Sequence, residues 1–321
     1  MSGRVDSLAT ARRPPVAIVS MGACCAIGNT VDEVATAIEA GRTGLSALAR
    51  FEAPQGAIPV GQVAILPGTS ADGSATHRLA IAAASEAILG ARKRISRWPA
   101  PARIAAIVGT TTGGIEQSSE WYLGGRSPKN AGVLRKHSAS TVSSAVARVA
   151  GAEGVVLTIS TACSSGANAI MLAADLINTG EADLVIAGGA DGLCPLTFDG
   201  FSSLKLTSTT PCRPFDEARN GLNLGEAGAF VVLANEALVG ESVGWFLGGG
   251  LTCDAHHMTA PSPTGDAVVR AMQLALAQAG MGPEDVDYIN AHGTATQAND
   301  RAEAAAFTRL FMDRIPPVSA S

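Results

Sequence analysis

Val155-Val156-Leu157-Thr158-Ile159-Ser160-Thr161-Ala162-Cys163-Ser164-Ser165-Gly166-Ala167-Asn168 is the stretch that decides the fold. A β-branched run breaks off at Ile159 into small residues, and the Ala- and Leu-rich segment from Ser164 to Asp175 predicts a helix. The apolar strand Leu184-Val185-Ile186-Ala187-Gly188-Gly189 comes next. Strand, helix and strand in that order belong to a parallel sheet covered by helices, an α/β fold. The tight turn leaves Cys163 unobstructed at a helix N-terminus, facing unpaired N–H groups and the positive end of the dipole. Cysteines so placed have their pKa lowered from about 8.5 into roughly the 3.5–7.5 range, which suits nucleophilic catalysis through a covalent thioester. The bland alternative for Cys163 is a small buried core thiol.

A second strand-to-turn element reads Val286-Asp287-Tyr288-Ile289-Asn290-Ala291-His292-Gly293-Thr294-Ala295-Thr296 and presents His292. Elsewhere the patterning predicts a first buried strand over Val16–Gly22 and a helix from Thr30 to Glu39 with Gly41 at its end. Residues 50–75 are punctuated by Pro and Gly and read as loop, and an Ala-rich helix is expected from Arg78 to Gly90. Strands follow over Arg103–Val108 and Phe230–Leu233, and a second cycle starts near Trp245 with a helix from Asp266 to Ala279. The domains expected are 1–245 and 246–321.

The chain has 321 residues, 47% hydrophobic and 16% charged, with a net charge of −5. Such a chain buries a large core, and the acidic balance argues against nucleic acid as a general partner. Aromatics make up only 4%, so Ala, Val, Ile and Leu fill that core, and the many Gly and Ala residues suit close packing of helices on a sheet. No apolar run reaches the length of about 18 residues that spans a membrane. The six cysteines form no CxxC pair and no zinc spacing, which points to a reducing, cytoplasmic compartment. His256-His257 beside Asp254 supports no metal site, because adjacent histidines point apart. His77 and His137 have no supporting context. Arg12-Arg13 before the apolar run Val16–Ile27 faintly resembles an export signal, but the run reads better as a first strand.

These elements together resemble the β-ketoacyl synthases, the condensing enzymes of fatty-acid and polyketide synthesis. The resemblance extends to Thr112-Gly113-Gly114, Pro214-Phe215-Asp216-Glu217-Ala218-Arg219-Asn220-Gly221, Leu224-Gly225-Glu226, Asp254-Ala255-His256-His257-Met258-Thr259-Ala260-Pro261 and Asn299-Asp300 with Glu303, in the family's order. It implies a thiolase-like fold of two pseudo-repeated βαβ halves with parallel-rich mixed sheets. It also implies an elongating 3-oxoacyl-[acyl carrier protein] synthase in which Cys163 holds the acyl group and His292 assists decarboxylation of malonyl-carrier protein. No cofactor of its own is implied, since the pantetheine arm arrives on the acyl carrier protein.

By the same resemblance Thr294 and Thr296 contact that arm, with local turn bonding as the alternative. Thr112 lines the acyl pocket. Asp300 and Glu303 support the surrounding loops, or else simply face the dipole of a helix N-terminus. Lys205 meets the carrier protein, or is a solvated lysine. Cys24, Cys25, Cys194, Cys212 and Cys253 are taken as structural. Two departures are Ala295 and Ala227, which stand where relatives have Gly. Relatives also continue past Ser321 into a lysine and a second histidine, so a C-terminally truncated synthase is expected, with the second half incomplete. A homodimer, or a heterodimer with a related subunit, is implied. The competing readings are a non-catalytic partner subunit of the chain-length-factor kind, which generally lacks the cysteine, a thiolase, and an inactive fragment.

Overall fold

The computed structural model describes residues 13–53, 58–257 and 259–320. Arg12, residues 54–57 of the predicted loop, Met258 and Ser321 lie outside the described residues. The chain divides into two compact units: a larger one of residues 16–211 and 223–245, and a smaller one holding residues up to 15, 212–222 and 246 onward. Thus the short segment Cys212–Leu222 joins the smaller unit, not the linear neighbours around it.

In the larger unit the elements run β1 (Val16–Cys25), α1 (Val31–Glu39), β2 (Leu45–Ala47), β3 (Pro59–Gly61), α2 (Ala75–Arg92), β4 (Ile104–Gly109), α3 (Ile115–Leu123) and α4 (Ser140–Ala150). They continue through β5 (Val156–Ile159), α5 (Ser165–Asn178), β6 (Leu184–Asp191), α6 (Pro195–Ser203), β7 (Ala227–Ala234) and β8 (Gly244–Phe246). Six strands form one sheet in the order β5-β4-β6-β7-β1-β8. The pairs β5–β4 and β4–β6 are parallel, whereas β6–β7 and β7–β1 are antiparallel, so the sheet is mixed. The apolar run at the N-terminus is therefore an interior strand. Residues 50–75 are not all loop: β3 pairs antiparallel with β2.

Register explains how both faces are filled. Side chains alternate along a strand, so Val108, Ile186 and Phe230 share one face, and Gly109, Gly189 and Ala229 share the other. The first face packs on α2 and α4 through a cluster that includes Leu79, Ala83, Ala87, Val142 and Val146. Small residues set the spacing there, because a Cβ on Gly22 would lie 2.0 Å from the Ala83 carbonyl oxygen. The second face takes α5, and a Cβ on Gly109 would meet the Ser165 carbonyl carbon at 2.4 Å. Covered on both faces, β4 is buried along its whole length, as a parallel interior strand must be.

In the smaller unit α7 (Asp266–Ala279), β9 (Ile289–Asn290), α8 (Gln297–Phe311) and β10 (Val318–Ser319) follow. The two strands pair in parallel, with α8 as the crossover between them. Its core gathers Ala291, Phe307, Leu310 and Phe311, with Phe215 packed against them. Among the described residues no helix is long and apolar enough to cross a membrane.

Candidate active site

The last ladder bond beyond β5, from Thr110 N–H to the Ile159 carbonyl at 3.0 Å, delivers the chain to the Cys163 turn. Ala162 there is left-handed, with φ of 54°, a conformation costing a non-glycine residue of order 1 kcal/mol. Ser165 holds the turn: its hydroxyl accepts from Thr161 N–H at 2.8 Å and donates to the Ala162 carbonyl at 2.6 Å. Asn168 adds a bond to the Thr161 hydroxyl at 2.8 Å. Cys163 is exposed and lies directly before Ser164, the N-cap of α5. The close approach at Gly109 seats this helix start on the strand ends. A cavity of about 480 Å³ opens beside it, lined by Cys163, Ala162, Asp191, Ile27, Leu45 and Glu226 among others.

Two acids shape the surroundings of that cavity, Glu226 buried and Asp191 half-buried. Glu226 forms a two-pronged pair with the Arg50 guanidinium and accepts backbone N–H groups from Val63 at 2.9 Å and Leu193 at 3.1 Å. Asp191 accepts from the loop after β4, which includes Thr112. Thr112 is buried, and its hydroxyl is spent on Asp191 at 2.7 Å and Thr76 at 2.9 Å. Arg50 and Asp191 were not expected as site residues: Arg50 opens a stretch read as loop, and Asp191 ends a strand with no motif around it. Lys205 is exposed just past α6, with a left-handed φ of 56°.

In the smaller unit, Glu303 on α8 accepts N–H bonds from His292 and Gly293, each at 2.8 Å. One carboxylate thus fixes the backbone on which the exposed imidazole stands. Asp300, 1% exposed, accepts Phe215 N–H at 2.7 Å and lies 3.5 Å from the Arg219 guanidinium. Asn299 ties the two acids together, at 3.2 Å to Asp300 and 2.8 Å to Glu303. The Thr294 and Thr296 hydroxyls bond each other at 2.8 Å, and Thr296 caps α8. Ala295 is fully buried with φ of 59°, so Ala occupies a conformation that favours Gly.

Among the remaining cysteines, burial pushes the Cys24 thiol up to about 11, which makes it inert at neutral pH. Cys194 is also buried, whereas Cys253 is exposed. His257 Nδ1 accepts from the N–H groups of Thr259 and Ala260, both at 3.2 Å, so this ring organises its own loop.

Residues 13–238 match the family model described as the β-ketoacyl synthase N-terminal domain, and residues 243–320 match the C-terminal domain model. The chain is 32% identical to the 3-oxoacyl-[acyl-carrier-protein] synthase 2 of Synechocystis sp., over 95% of this chain and 78% of that enzyme. It is 37% identical to a putative polyketide β-ketoacyl synthase of Streptomyces halstedii, over 72% of this chain and 60% of that protein. Among solved structures it resembles a ketosynthase in complex with its chain length factor from Xenorhabdus doucetiae. That likeness has a TM-score of 0.86 at 32% identity and covers 95% of this chain and 78% of the other. The fold matches as well, being α/β with a mixed sheet in both expectation and structure. Two domain models in series, relatives aligned over nearly the whole chain and a ketosynthase fold all agree: the chain belongs to the β-ketoacyl synthase family of condensing, acyl-transferring enzymes.

Proposed function

We propose that the chain acts as a 3-oxoacyl-[acyl-carrier-protein] synthase with Cys163 as nucleophile. The observation carrying this is the exposed thiol on a left-handed turn at the start of α5, beside a cavity of about 480 Å³. The Cys163 thiolate attacks the carbonyl of an acyl thioester, forming a C–S bond as the carrier's C–S bond breaks, and the carrier sulfur takes up the proton that Cys163 gave up. Malonyl-carrier thioester then loses CO₂, and His292 donates an N–H bond to the enolate oxygen. The enolate carbon attacks the acyl group, a C–C bond forms and Cys163 leaves as thiolate. Glu303 supports His292 through the turn backbone, and Asp300 supports the loop that carries Phe215.

Thr294 and Thr296 offer hydroxyls to the pantetheine arm. Thr112 offers its methyl to the acyl pocket, since its hydroxyl is engaged. Lys205 meets the acidic carrier. The arm arrives on that carrier, so the enzyme needs no cofactor of its own. Its partner subunit is a second copy or a related chain, as the Xenorhabdus ketosynthase has its chain length factor. The edge strand β5 is suited to that contact, with Val156 37% and Leu157 43% exposed. Six cysteines outside any disulfide fit a reducing cytoplasm.

The test is incubation with a radiolabelled acyl-carrier thioester, followed by mass spectrometry. Label at Cys163, abolished in Cys163→Ala, is expected. A labelled Cys163→Ala, or an unlabelled parent under conditions where a related synthase is labelled, would refute the assignment of nucleophile.

A further inference from the structure

The loop that follows β4 rests on one carboxylate. Asp191 Oδ1 accepts the Thr110 hydroxyl at 2.7 Å, Thr111 N–H at 2.9 Å, Thr112 N–H at 2.8 Å and the Thr112 hydroxyl at 2.7 Å. Its other oxygen takes Thr111 N–H, at 3.1 Å. The hydroxyl hydrogens can be assigned in order: Thr76 donates to Thr112, and Thr112 and Thr110 donate to Asp191. Gly113 N–H closes the loop on the Thr110 hydroxyl at 3.1 Å, and Gly192 N–H closes the other side on the Thr76 hydroxyl at 2.9 Å. Strand alternation puts Asp191 on the same face as Gly189, the face covered by α5.

Thr111 is the exposed member of the loop, and its hydroxyl lies 3.5 Å from the carbonyl of Ala162, at the long end of a hydrogen bond. Ala162 is the strained residue directly before Cys163, and Asp191, Ala162 and Cys163 line one cavity. We propose that Asp191 is a positioning residue for acyl transfer: it clamps Thr110–Thr112 so that Thr111 holds the Ala162 carbonyl and with it the turn presenting the thiol. This rests on Cys163 being the nucleophile. Asp191 touches no reacting atom; its effect passes through Thr111 and the Ala162 peptide. A displacement of about 1 Å at a reacting group is enough to cost a factor on the order of 100 in rate.

The experiment measures single-turnover acylation of Cys163 from an acyl-carrier thioester, alongside melting temperature, for four variants of the full chain. Asp191→Ala removes every acceptor and is expected to slow acylation about 10- to 100-fold. Asp191→Asn keeps an acceptor at the Oδ1 position and is expected to lose less. Thr111→Val deletes only the hydroxyl that reaches Ala162, and slowing of roughly 3- to 10-fold is expected. Thr111→Ser restores the hydroxyl and with it a rate within about twofold of the parent. If Asp191→Ala does not fold, the Thr111 pair decides, since that side chain is exposed. Rates for Asp191→Ala or Thr111→Val within twofold of the parent, in folded protein, overturn the proposal while leaving the nucleophile intact. A parent that is not acylated at Cys163 overturns the nucleophile instead. Equal slowing in Thr111→Val and Thr111→Ser also overturns it, because the hydroxyl would then not be the link.

Discussion

Acidification should destabilise the larger unit through His77. The ring is 2% exposed, with Nδ1 2.8 Å from the Ser74 hydroxyl and Nε2 2.9 Å from the Thr141 hydroxyl. Thr141 commits its own hydrogen to the Ser138 carbonyl at 2.6 Å, so Nε2 carries the ring proton and Nδ1 accepts from Ser74. Burial first, and the Lys136 ammonium second, lower the pKa from 6.5 to about 4. Because the folded value is the depressed one, the unfolded chain takes up a proton between pH 6.5 and about 4 that the folded chain refuses. Stability is unaffected above that window, falls as pH drops through it and loses nothing more from this group below it. The full difference corresponds to ~3 kcal/mol at 1.36 kcal/mol per pH unit, and screening by the polar surroundings brings it to about 2 kcal/mol. Urea unfolding at pH 7, 6, 5 and 4 of the parent and of His77→Gln isolates the group, because the carboxylates titrate alike in both. The parent should lose about 2 kcal/mol more than His77→Gln over that range. Parallel curves, within about 0.5 kcal/mol, would show that the ring protonates as freely folded as unfolded and would refute the buried neutral imidazole.

Glu226→Ala strands the Arg50 guanidinium and two buried N–H groups, so a loss of about 3–5 kcal/mol is expected by chemical denaturation. A loss below about 1 kcal/mol would mean that water replaces the carboxylate. Gly109→Ala drives a Cβ into the backbone of Ser165, 2.4 Å away, and should cost about 1–3 kcal/mol while slowing acylation of Cys163. An unchanged acylation rate would contradict the close seating of α5. Ala295→Gly relieves a left-handed φ of 59° and should raise stability by about 0.5 kcal/mol after the added freedom of the unfolded chain is subtracted. A fall in melting temperature would show that the buried methyl outweighs the strain.

The elements around Cys163 were legible because their signals are local. Val155–Ile159 and Leu184–Gly189 are apolar runs bounded by turn residues, and both emerge as strands, although β6 extends two residues further to Asp191. Helix α4 was not legible: Ser140-Thr141-Val142-Ser143-Ser144 has the composition of a turn, and burial of Val142 and Val146 against α2 overrides that preference. The β2–β3 pair was hidden for a related reason, since its short strands are specified by the partner strand across Pro- and Gly-rich sequence.

The acids show the limit most clearly. Asp191 looks like any surface carboxylate in the sequence, and Glu226 and Glu303 stand out only through the family resemblance, yet each of the three accepts two or more backbone N–H groups. Only Glu226 has a close cationic partner among these three in the interactions described. What makes each one structural is the set of donors that approaches it, and for Glu226 the Arg50 donor is 176 residues away along the chain. A carboxylate that accepts several backbone N–H groups fixes turn geometry better than a flexible ion pair would, because amides are held by the backbone itself. Family resemblance singled out Cys163 and His292, the residues to which the proposed mechanism gives the chemistry. It did not locate Asp191, because a positioning residue leaves no reactive signature and is recognised only once its hydrogen bonds are counted.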